Sequence, residues 1–114
     1  MRINKELLRG SSDILVLSLL DRKTMYGYQI IKELEMKSNG EFSFKEGTLY
    51  PILHRLEADG IIESFWSESE SNRKRKYYKL TKKGKEALNK KQEEWQAFSD
   101  AVENIVKWED IKCH

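Results

Sequence analysis

Residues 61–81 read IIESFWSESESNRKRKYYKLT. Two runs rich in branched and aromatic side chains, residues 61–66 and 76–80, flank a polar stretch at 67–75. Branched and aromatic side chains suit a pleated surface, so the pattern predicts two short strands joined as a long hairpin. Thr81 then stands where a hydroxyl would cap a last helix over about residues 82–108.

Upstream of the hairpin the hydrophobic period becomes helical. Leu49, Ile52, Leu53 and Leu56 share one face of a segment at about 46–59, which Gly60 terminates. Ser43 and Glu46 have the spacing of a capping box at its start. A second helix is expected over 26–37, with Ile30, Ile31 and Leu34 inward and Ser38-Asn39-Gly40 as a left-handed stop. A first helix is expected from an Asn4 cap to Leu20. Its apolar residues (Leu7, Leu8, Ile14, Leu15, Val16, Leu17, Leu19 and Leu20) cover more than one face, which implies burial against two neighbours. The order α-α-α-β-β-α gives a mainly α fold with a small β-hairpin. It is a winged helix-turn-helix over residues 1–81, followed by a long C-terminal dimerisation helix and tail over 82–114.

Composition narrows the class. A chain of 114 residues suits one modest core. No apolar run approaches the roughly 20 residues that span a bilayer, and the N-terminus lacks the layout of a signal peptide. The single cysteine, Cys113, cannot form an internal disulfide, and the expected compartment is the cytoplasm. Residues 1–60 carry nine basic and nine acidic side chains; residues 61–91 carry ten and four; residues 92–114 carry two and six. A polyanion would therefore be met by the middle of the chain. His54 and His114 lie far apart, and no metal-ligand spacing, phosphate-binding glycine loop or nucleophile motif is present. An enzyme is not expected, and no cofactor is implied.

In a helix-turn-helix the second helix of the pair enters the major groove, led by its N-terminal residues. Here the outward candidates are Lys45, Gly47, Thr48, Tyr50, Pro51, His54 and Arg55. Thr48 and Tyr50 can donate to phosphates, and the Thr48 methyl can meet thymine. Pro51 has no amide hydrogen to offer the Gly47 carbonyl. Arg73-Lys74-Arg75-Lys76, on the returning strand, would clamp phosphates. Double-stranded DNA is the expected partner. The rival class is a protein-interaction module that turns the same basic hairpin towards an acidic protein.

On the last helix, Leu88, Trp95, Phe98, Val102 and Ile105 are spaced as an a/d seam, interrupted by Lys91. A Trp- and Phe-bearing seam beyond the domain core would lie in water unless a second chain covered it, so a homodimer is expected.

Several stretches together resemble the PadR family of bacterial transcriptional regulators. They are Met25-Tyr26-Gly27-Tyr28, then Gly47-Thr48-Leu49-Tyr50-Pro51-Ile52-Leu53 with Arg55-Leu56-Glu57 and Asp59-Gly60. The last is Arg73-Lys74-Arg75-Lys76-Tyr77-Tyr78 with Leu80, Thr81 and Gly84. The length is similar to the short subfamily, which includes a lactococcal multidrug-binding repressor. The resemblance implies a repressor that binds a palindromic operator as a two-fold dimer. It also implies that Trp95 stacks on flat aromatic drugs between subunits, with Leu7, Ile14, Ser18, Leu88 and Ser99 around the same space. A planar aromatic small-molecule effector is thus expected from the family likeness, and paired indoles are chemically suited to sandwich such a ring.

Overall fold

The computed structural model describes residues 11–68 and 72–109. In chain order the elements are α1 (Ser12–Arg22), β1 (Met25–Tyr26), α2 (Gly27–Lys37), α3 (Glu46–Ala58), β2 (Ile62–Glu68), β3 (Lys74–Leu80) and α4 (Lys82–Val106). Among the described residues, four helices and a small antiparallel sheet make a winged helix-turn-helix with a long last helix. The sheet has three strands rather than the expected two, in the order β1-β3-β2. Met25 pairs with Tyr78 and Tyr26 with Tyr77, so the two residues before α2 add an edge to the wing. Two residues are too few to show a period of two, which is why the sequence reads Tyr26 as the start of the helix and assigns Met25 to no element.

Among the described residues the core is apolar. Val16, Leu17 and Leu20 of α1 meet Ile30 and Leu34 of α2, Leu49, Leu53 and Leu56 of α3, and Ile62 and Tyr78 of the sheet. Phe44 and Leu88 close it at two sides. The spread of α1 contacts explains its apolar character on several faces: Leu15 and Leu19 also pack on the core. Helix α1 is described from Ser12, with Ser11 as its N-cap; the expected Asn4 cap lies outside the described residues.

Local chemistry sets the element ends. At the close of α2, Asn39 and Gly40 take positive φ, and the Gly40 amide donates to the Glu35 carbonyl at 2.8 Å. The Ser38 hydroxyl donates to the Leu34 carbonyl at 2.6 Å and accepts from the Phe42 amide at 2.9 Å. At the start of α3 the expected capping box does not form: the N-cap is Lys45, with no side-chain cap bond. The helix starts at Glu46, as expected, and Phe44, two residues before it, is buried in the core. After α3, Gly60 turns the chain at φ +74. The Thr81 hydroxyl then joins three segments. It accepts from the Gly84 amide at 2.9 Å, capping α4, and lies 2.7 Å from the Gly60 carbonyl and 3.0 Å from that of Ile61.

Candidate nucleic-acid interface

Helix α3 buries Leu49, Leu53 and Leu56 and half-buries Ile52, and presents the opposite side to solvent. Lys45, Gly47, Thr48, Pro51, His54 and Arg55 are all exposed, as expected from the sequence. A Cβ on Gly47 would meet nothing within 4 Å. Packing within the subunit therefore does not require glycine at that position. Tyr50 is half-buried, because its ring lies over Gly27 at the start of α2. A Cβ on Gly27 would sit 2.7 Å from the Tyr50 Cζ, so the two residues are fitted to each other.

Arg55 departs from the expected open, groove-facing position. Its guanidinium donates twice to Asp13 of α1, at 3.0 and 2.7 Å. That bidentate bond, more than the nearby charges, holds the Arg55 pKa above its ordinary value. Arg55 thereby clamps α3 to α1.

The wing carries its cations on both faces of β3. Arg75 stacks over the Tyr26 ring, 4.3 Å from its centroid. Lys76 lies 3.9 Å from a Glu57 carboxylate oxygen and 5.7 Å from the Tyr78 ring centroid. Glu57 also accepts from the Ser64 hydroxyl at 2.5 Å, so α3 and both long strands meet at one carboxylate. Tyr78 is buried beside it, and that burial pushes its hydroxyl pKa up, with Tyr50 and Glu57 adding to the shift. Arg73 and Lys74 are exposed towards the hairpin tip. Arg75 and Lys76 are thus held by internal neighbours.

A cleft of about 650 Å³ opens between α3, the start of α2 and the wing. It joins Tyr50 to the run from Arg73 to Lys76, bringing together two groups of candidates that lie far apart in sequence. Tyr26, Tyr28 and Trp66 also line it and were not expected there. The available signal was strand alternation: Trp66 pairs with Lys76, so the two belong to one face of the hairpin.

The last helix leaves the core after Leu88. Leu88 itself is fully buried in the subunit's own core, which corrects its expected place on the exposed seam and the pocket wall. Gly84 permits the close approach that seats the helix: a Cβ there would strike the Ile61 carbonyl oxygen and lie 2.9 Å from Leu80 Cδ1. Beyond it, Trp95, Phe98, Val102 and Ile105 are exposed by 41 to 73%. Trp95, Phe98, Ser99, Val102, Glu103 and Val106 line an open hollow of about 460 Å³. Ile14 and Ser18 are half-buried on α1, and Leu7 lies outside the described residues. Among the described residues no group of His, Cys, Asp and Glu is arranged to hold a metal ion. Nor is any described helix long and apolar enough to cross a membrane.

The family model described as transcriptional regulator PadR-like matches residues 16–90. The chain belongs to the PadR-like family. Its fold is similar to that of a transcriptional regulator from Clostridium thermocellum, at 34% identity and a TM-score of 0.82, over 90% of this chain and 99% of that one. It is likewise similar to a PadR-like regulator from Bacillus cereus, at 30% identity and a TM-score of 0.83, over 92% and 100% of the two chains. The Lysinibacillus sphaericus Uncharacterized protein X is 34% identical over 92% of this chain and 96% of its own length. PadR-like proteins are DNA-binding transcriptional regulators rather than enzymes.

Proposed function

We propose that this PadR-like chain is a cytoplasmic repressor that binds a palindromic operator as a two-fold homodimer and is released by a planar aromatic molecule. The observation that carries the DNA-contact geometry is the exposed row Lys45, Gly47, Thr48, Pro51 and His54 on α3 beside the cationic cleft of the wing. The uncrowded Gly47 supports it, because a glycine with no internal need admits close approach by an outside backbone. Thr48 and His54 would read base edges, Tyr50 and Lys45 would hold phosphates, and Arg73 to Lys76 would grip the backbone beyond. The Arg55 guanidinium, already bound to Asp13, would reach DNA only as a secondary contact.

Dimerisation rests on the exposed apolar face of α4, which a second copy would cover. Selection of bound duplexes from a random pool tests both parts. Symmetric half-sites about one helical turn apart are expected, with steep log-linear loss of affinity with salt. Recovery of asymmetric sites, or no binding at low salt, would refute the reading.

The effector reading rests on Trp95, which is 47% exposed at the hollow that Phe98 and Ser99 share. Its likeness is to the multidrug-binding member of the short subfamily. An effector releases DNA only if it prefers the arrangement that does not bind DNA. A planar cationic dye should quench tryptophan emission in the wild type and far less in Trp95→Ala. Equal quenching in both would remove the effector site.

A further inference from the structure

Two neighbouring aromatic residues of β2 have opposite surroundings. Phe65 stacks on Tyr77, with ring centroids 5.9 Å apart, and Lys79 lies over its ring. Trp66 is 67% exposed and turns to the cleft face, opposite Lys76. On that face Ile62 is in the core and Ser64 is bonded to Glu57, but Trp66 reaches past both. Its indole forms an apolar wall of the cleft that Arg73, Lys74 and Tyr50 also line. A cationic cleft attracts a polyanion, and an exposed indole beside the cations offers a surface that charge alone cannot use.

We propose that Trp66 is a contact to the sugar–phosphate backbone of duplex DNA seated in this cleft. The indole face packs on a deoxyribose while its Nε1–H donates to the adjoining phosphate. The contact rests on the DNA-binding reading above and adds to it an attraction that salt does not screen. Cations supply affinity that falls with salt through counterion release; an apolar contact releases no counterions.

The test uses the full-length protein and a mixed-sequence duplex, titrated over a range of salt concentrations. Trp66→Ala should weaken binding about tenfold at every salt concentration and leave the slope of log affinity against log salt unchanged. Lys74→Ala, by contrast, should lower that slope by about one unit. Trp66→Phe keeps part of the apolar face and should fall between wild type and Trp66→Ala; circular dichroism melts check that both variants fold. Polyglutamate, a polyanion without sugars, should bind wild type and Trp66→Ala equally. Wild-type affinity in Trp66→Ala, with a weakened Lys74→Ala, would overturn the contact but leave DNA binding intact. Equal weakening towards duplex and polyglutamate would also overturn it. Failure of the wild type to bind any duplex at low salt would overturn both readings.

Discussion

Gly27 and Tyr50 show how one missing side chain positions another. The Tyr50 ring occupies the space that a Cβ at residue 27 would need, with the Cζ 2.7 Å from that point. Both residues lie in fixed secondary structure, so Gly27→Ala must displace the ring rather than the helix. Overpacking of this kind costs typically about 1–3 kcal/mol. A double-mutant cycle with Tyr50→Ala should recover most of that cost, because the truncated side chain vacates the space. Thermal melts that give additive losses would show that the two do not touch. Tyr78 makes a separate statement about pH. Its burial raises the hydroxyl pKa above the ordinary value, so the neutral form is the one the fold accommodates. The contribution is whole below the unfolded pKa of about 10 and is lost as pH climbs from there through the folded value. Wild-type stability should therefore decline above about pH 10, and Tyr78→Phe should flatten that decline in denaturant titrations.

Helix α1 is held near both ends by charge. Asp13 binds Arg55 of α3 and Asp21 binds Lys85 of α4, the latter at 2.8 Å. Helix α1 thus links α3 to α4. Both cations are about half exposed, so each pair contributes only about 0–1 kcal/mol. Their larger effect is on where the Arg55 charge goes. Asp13→Asn removes the anion and leaves the guanidinium on the exposed face of α3. Duplex binding should tighten, and its salt slope should steepen by up to about one unit. An unchanged slope would mean that Arg55 never reaches the phosphates. Elements of this kind were unevenly legible in the sequence. The hairpin, α3 and the Thr81 cap follow from local pattern, since period and capping hydroxyls act within a few residues. The Asp13–Arg55 clamp spans 42 residues and has no local signature. The expected capping box failed for a related reason: Phe44 is drawn into the core, and tertiary burial overrode the local Ser43–Glu46 pattern. Leu88 has the right spacing for the seam, but spacing cannot tell which apolar residue the subunit's own core has already claimed.

The whole molecule is elongated, with extents of 68 × 32 × 22 Å and a radius of gyration of 17.2 Å. A compact chain of this length would have about 13 Å. The excess comes from α4, whose 25 residues span about 37 Å while only Gly84 and Leu88 are buried. The helix is little supported by its own subunit, yet bears Trp95, Phe98, Val102 and Ile105 exposed along one side, the face that the proposed second copy would cover. Among the described residues the core draws on the winged elements and, from α4, on Leu88. Phe98→Glu should therefore separate two properties. Sedimentation at micromolar concentration should show a monomer, because a carboxylate at a 68% exposed seam position is stable in water but costly against an apolar partner. Melting of the winged portion should change little. Binding to a palindromic site should weaken by about a hundredfold or more, since the second half-site is no longer held at high effective concentration. Binding to an isolated half-site should stay near the wild-type value. A variant that remains dimeric, or one whose half-site binding collapses with the palindrome, would show that α4 does not join the two DNA-binding units.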